Sequence, residues 1–208
     1  MTTPPVPPPP PSPSPSASYL ILHGWQNRRP ARHWQHWLAD RLRALGHQVV
    51  YPQLPDPDAP ELEAWLAEYG RRLAELEGPE RVVVAHSLSV LGWLHALARD
   101  VPGARDVDRV LLVAPPSYEV IARLPEIAAF GPPPPGVIAA RTRLVATDSD
   151  PYCPEGADRL YAEPLGLPAD VLPGAGHLDL VAGYGEWPGV LEWCVGGGEV
   201  EVRGRGRG

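Results

Sequence analysis

The chain has 208 residues, 44% of them hydrophobic, which suits one domain with a sizeable core and tails. Its formal charge of −7 argues against a nucleic-acid partner gripped through phosphates. All of its 18 cations are arginine, which reads as coding bias without functional meaning. No stretch is apolar and long enough to span a bilayer, and the amino terminus lacks the basic start and apolar core of a secretory signal. Two distant cysteines, Cys153 and Cys194, make no disulfide framework, so a reducing cytoplasm is expected.

Residues 1–17 form a proline–serine tract that favours solvated polyproline II and cannot bury a core, so a disordered leader is expected there. The folded domain is expected over 18–195. Residues 19–22 predict the first strand, and 31–45 a helix with Trp34, Trp37, Leu38, Leu42 and Leu45 on one face. Strand 48–51 and helix 61–76 follow, then strand 81–85, an elbow helix over 90–98, and strands 110–113, 143–146 and 169–172. A last helix starts at Glu186-Trp187-Pro188, with proline tolerated in its first turn. Residues 196–208, ending in Arg-Gly repeats, are expected to be a flexible tail. The alternation predicts an α/β fold: a doubly wound, mostly parallel sheet of about six strands with helices on both faces.

The segment Arg-Val-Val-Val-Ala-His-Ser-Leu-Ser from Arg81 to Ser89 carries the chemistry. A β-branched run stops at a serine and an apolar helix begins at once, the arrangement of a nucleophile elbow. Such a turn needs small residues two before and two after the serine, and Ala85 and Ser89 are both small. The alternative is a buried strand ending in a serine that caps the next helix. Of the two histidines beyond Ser87, His95 is carried away inside the elbow helix. His177 sits in Pro173-Gly174-Ala175-Gly176-His177, a glycine-rich loop after a strand, where a general base belongs. The acid should end the strand between them. Asp150 stands further beyond that strand and precedes a proline, Asp148 reads as support for the turn, and Asp179 is too near His177 along the chain.

In chain order come Leu22-His23-Gly24-Trp25, His33-Trp34-Gln35-x-Trp37-Leu38, Ala85-His86-Ser87-Leu88, Val113-Ala114-Pro115-Pro116, Ser149-Asp150-Pro151-Tyr152-Cys153 and Gly176-His177, then Gly183-x-Gly185-x-Trp187-Pro188. This series resembles the small serine hydrolases typified by YdeN and retinoblastoma-binding protein 9, a compact branch of the α/β-hydrolases. The resemblance runs from about Ser18 to Val195 and implies that fold. The family usually has glycine where this chain has Ser89.

The expected chemistry is acyl transfer to Ser87, with His177 as base and Asp150 orienting it. The backbone N–H groups of Leu88 and Trp25 are the expected oxyanion donors, and no metal or organic cofactor is implied. His23, Gly24 and Tyr118 are candidate substrate contacts, although His23 and His86 would more ordinarily brace loops by hydrogen bonds. Residues 114–141 are too few for a large cap domain, so an open site for small carboxylic esters, or else amides or thioesters, is expected. The competing expectation is a protein-binding module on the same fold with weak or vestigial catalysis. A protein partner is not identifiable from the sequence.

Overall fold

The computed structural model describes residues 17–134, 138 and 140–205. Six strands, β1 (Ser18–Leu22), β2 (Gln48–Val50), β3 (Arg81–His86), β4 (Arg109–Val113), β5 (Arg141–Thr147) and β6 (Ala169–Leu172), form one sheet in the order 2-1-3-4-5-6. Every pairing is parallel, Leu22 standing opposite Ala85 and His86 opposite Val113. The strands are short β-branched and leucine runs, and their period-two alternation splits the core between two faces. Leu20, Leu22, Val83, Ala85, Leu112 and Leu144 pack under α2 (Leu62–Leu73) and α3 (Leu88–Ala98). Tyr19, Ile21, Val82, Val84, Leu111 and Val145 pack under α1 (Trp34–Ala44) and, near the carboxyl end, α6 (Pro188–Val195).

The order also places the site. From β1 the chain passes to β2 on one side and then to β3 on the other, so the loops after β1 and β3 part at a topological switch point. Ligands in open α/β sheets bind in that crevice, at the carboxyl edge.

Several boundaries differ from expectation for local reasons. Helix α1 starts at Trp34 because His33 caps it, its Nδ1 accepting the Gln35 N–H at 3.2 Å. The helix ends at Ala44, which leaves Leu45 58% exposed rather than on the buried face of Trp34, Leu38 and Leu42. The 114–141 stretch holds a short α4 (Tyr118–Ala122), capped by the Ser117 hydroxyl, and a 3-10 turn over Ala128–Phe130. A π-helical turn, Asp158–Ala162, runs into α5 (Glu163–Leu165).

The expected leader lies outside the described residues except for Ala17, which is buried. The carboxyl segment is a correction. Far from being a loose tail, the chain near Val202 docks on the domain: Val202 is 2% exposed, its N–H donates to Asp170 at 2.8 Å, and Trp187 Nε1–H donates to the Arg203 carbonyl at 2.7 Å. Val200 and Val202 alternate with charges over too short a run to tell which is buried, and only Val202 is, Val200 being 42% exposed. No helix among the described residues is long and apolar enough to cross a membrane.

Candidate active site

Ser87 stands between β3 and α3 with φ 57° and ψ −125°, a backbone region that residues other than glycine seldom occupy. Its N–H donates to the Val113 carbonyl at 2.8 Å, which pins the turn to β4. The hydroxyl makes no capping bond to α3 and instead lies 2.8 Å from His177 Nε2, so the geometry is that of an elbow rather than of a helix cap. Ser89 fits where the family usually has glycine because it is buried and bonded, donating to the His23 carbonyl and accepting from Tyr69 Oη at 3.1 Å.

His177 and Asp150 meet at the ends of β6 and β5. His177 Nδ1 is 2.9 Å from both Asp150 oxygens, so Nδ1–H donates to the carboxylate and Nε2 is left to accept the Ser87 proton. Asp150 is 5% exposed and also accepts the Tyr152 N–H at 2.9 Å. The two loops are knitted together. Gly174 N–H donates to Asp148 at 2.6 Å, Gly176 N–H donates to Ser149 Oγ at 3.0 Å, and Thr147 Oγ1–H donates to the Gly176 carbonyl at 2.6 Å. Asp148 therefore supports the loop, as expected for the second carboxylate. Gly176 and Leu178, on either side of His177, both have positive φ, which turns the histidine back toward the serine.

The first turn of α1 holds this frame. Trp34 Nε1–H donates to the Leu178 carbonyl and Gln35 Nε2–H to the Leu22 carbonyl, each at 2.8 Å, so neighbouring residues of one helix grip the loops after β6 and β1.

A cleft of about 450 Å³ opens over Ser87. Gly24, Trp25, Leu88 and His177 line its floor, Val120, Ile121, Leu124 and Ile127 form an apolar wall, and Asn27, Arg28 and Asp179 bring polar groups to it. The four wall residues lie in the stretch after β4, Val120 and Ile121 within α4 and Leu124 and Ile127 beyond its end. Gly24 approaches Ser87 so closely that a Cβ there would stand 2.8 Å from the serine Cβ. Trp25 is half-buried, and its indole N–H donates to the Asp58 carbonyl at 3.0 Å.

Two expected substrate contacts are corrected. His23 is fully buried and outside the cleft. Its Nδ1–H donates to the Gly24 carbonyl at 2.8 Å, while Nε2 accepts the Leu54 N–H at 2.8 Å and faces Gln53 Nε2 at 2.9 Å. Burial lowers its pKa to about 4, so it braces the loop as a neutral ring. Tyr118 opens α4, its ring packs 5.2 Å from that of Tyr161, and it lines a separate cavity of about 240 Å³. Cys153, buried beside Asp150, has its thiol pushed up to about 12 by burial, which leaves it unactivated. His33, His86 and Asp179 also line the cleft. The resemblance marked His33 without giving it a role and Asp179 was weighed only as an acid; their place at the cleft depends on how the loops fold.

The sequence model of the serine hydrolase family matches residues 19–194. The chain belongs to that family. It is accordingly an enzyme, a hydrolase of compact α/β-hydrolase fold. Among solved structures it is similar to the ydeN gene product from B. subtilis, at 23% identity and a TM-score of 0.72 over 86% of this chain and 97% of that one. A YdeN-like hydrolase from Pectobacterium atrosepticum follows, at 21% identity and a TM-score of 0.68 over 88% and 90% of the two chains. Est1E from Butyrivibrio proteoclasticus is similar at 15% identity and a TM-score of 0.61, covering 88% and 89%. At these identities the likeness is one of fold. No curated protein matches the chain.

Proposed function

We propose that this serine hydrolase cleaves small carboxylic esters through an acyl-enzyme on Ser87, with His177 as general base and acid and Asp150 as its orienting carboxylate. The observation that carries the reading is the unbroken row Ser87 Oγ, His177, Asp150, at 2.8 and 2.9 Å, opening on the cleft. Ser87 Oγ attacks the carbonyl while His177 Nε2 takes its proton, and the ionised Asp150 stabilises the imidazolium that forms. The N–H of Leu88, first in α3, and that of Trp25 receive the developing oxyanion; one such donor typically contributes on the order of 10²–10³ in rate. His177 then returns the proton to the leaving alcohol. Water, activated by the same imidazole, releases the acid. Every step uses the chain's own groups and water.

The apolar wall suits a small aliphatic or aromatic acyl group, and the modest cleft volume suits a small-molecule substrate. Amides and thioesters would pass through the same acyl-enzyme. Two free, buried cysteines accord with the reducing cytoplasm in which we place the protein.

A fluorophosphonate probe followed by intact-mass analysis tests the reading. A single adduct on the wild type, absent from Ser87→Ala and strongly slowed in His177→Ala, is expected. A folded wild type that takes no adduct would overturn it and favour the binding-module alternative.

A further inference from the structure

Beside the triad are two buried nitrogens without a hydrogen-bond partner among the described residues, and they complement one another. His33 is 3% exposed, and its Nδ1 accepts the Gln35 N–H. A ring nitrogen that accepts carries no proton, so neutral His33 holds its proton on Nε2. That Nε2–H is one of the two unpartnered groups. His86, equally buried, directly precedes Ser87, and its Nε2 lies 3.1 Å from the His177 carbonyl oxygen. A carbonyl only accepts, so His86 also carries its proton on Nε2, which leaves Nδ1 as the other unpartnered group, an acceptor. The rings are neighbours, with centroids 5.6 Å apart for His33 and His86 and 5.2 Å apart for His86 and His177.

We infer that His33 and His86 are positioning residues for His177: two neutral imidazoles of matching tautomer that carry the α1 cap through to the backbone of the general base. The spare donor of His33 serves the spare acceptor of His86 through one bridging water, and His86 Nε2–H then holds the His177 carbonyl. Buried donors and acceptors are rarely left unsatisfied, and a polar site with one donor and one acceptor suits such a water. Neither ring is hydrogen-bonded to the side chain of Ser87, His177 or Asp150.

Burial keeps both rings neutral. The pKa of His33 falls to about 4, desolvation outweighing the opposing pull of Asp179, with His23 and His177 lowering it further. That of His86 falls well below the ordinary value, desolvation being reinforced by His177, His33 and His23. Charging either ring would break the row. A proton on His33 Nδ1 would confront the Gln35 N–H, and one on His86 Nδ1 would remove the acceptor.

The inference rests on the proposed triad for its kinetic consequences, but the tautomers can be read without it. Imidazole nitrogen shifts of the ¹⁵N-histidine-labelled wild type at pH 7 should place the proton of both rings on Nε2. The His33 N–H should exchange slowly, and faster in His86→Phe. A proton on Nδ1 of either ring, or a His33 N–H indifferent to His86→Phe, would overturn the inference, whether or not the chain hydrolyses esters. In ester hydrolysis, His33→Asn keeps a capping acceptor. It should lower kcat on the order of ten-fold at unchanged KM, less than a full ångström of misplacement costs. His86→Phe should do the same, and the double variant should lose no more than the worse single one. Effects that multiply, or a change in KM alone, would count against a shared positioning role.

Discussion

Replacing Gly24 with alanine probes how tightly the oxyanion loop is set against the nucleophile. The added Cβ would stand 2.8 Å from Ser87 Cβ, 3.2 Å from Ser87 Oγ and 3.3 Å from the His86 carbonyl. Ordinary contact begins near 3.4 Å, and the φ of Gly24 lies outside the left-handed region, so the cost is steric and not conformational. Ser87 has little room to yield, since its N–H is tied to Val113 and its hydroxyl to His177. The loop after β1 must therefore withdraw, and the Trp25 amide goes with it. A misplacement of about 1 Å at a reacting centre costs roughly 10²-fold. The expected result is a loss of about that size in kcat, with a parallel slowing of fluorophosphonate labelling. Overpacking of this kind costs about 1–3 kcal/mol, so the melting temperature should fall by only a few degrees per kcal/mol and the protein should remain folded. Steady-state hydrolysis of a p-nitrophenyl ester, the labelling rate and a thermal melt together decide the matter. A folded Gly24→Ala enzyme with wild-type kcat would refute the placement of the oxyanion loop.

Asp150→Asn keeps an oxygen for the Tyr152 N–H but no longer enforces the Nδ1–H tautomer of His177. Its kcat should drop by about 10⁴ with little change in melting temperature, and near-normal turnover would remove Asp150 from the mechanism. Ending the chain at Gly198 removes the buried Val202 and leaves Trp187 Nε1–H without its acceptor. Urea unfolding should report a loss of roughly 3–5 kcal/mol, and an unchanged midpoint would mean that the segment is not docked in solution. Burial lowers His23 and His33 to about 4 and His86 well below 6.5, so the unfolded chain binds protons that the folded one refuses. Stability should be full above pH 6.5 and decline steadily toward pH 4, with a slope of about two to three protons. Flat stability across that window would show that these rings are not buried neutral.

Much of this architecture was legible because it is local. The strands are centred on apolar runs, which put all six within a few residues of expectation, and the proposed Ser87, Asp150 and His177 lie in the loops after β3, β5 and β6, in the expected chain order. Asp150 over Asp148 was also decidable, since only the residue further from the strand end reaches the histidine. What could not be read depends on contacts distant in sequence. Tyr118 opens the helix that builds the cleft wall, yet the ring itself turns to Tyr161. Val202 is held through its N–H to Asp170 of β6, 32 residues away. The resemblance singled out the His33-Trp34-Gln35 run, but its purpose emerges only when Trp34 and Gln35 are seen bonded to Leu178 and Leu22, 144 and 13 residues away.

The stitching of Asp148 and Ser149 to Gly174 and Gly176 ties the loops that carry Asp150 and His177 into a single mechanical body. That body rides on β5 and β6 at the margin of the sheet, whereas the serine is mounted on β3 in its interior. The 2.9 Å contact of His177 with Asp150 lies within that body, whereas the 2.8 Å contact of His177 with the Ser87 hydroxyl joins it to the sheet interior. The seam of the proposed triad therefore falls between the serine and the imidazole, and not between the imidazole and the carboxylate.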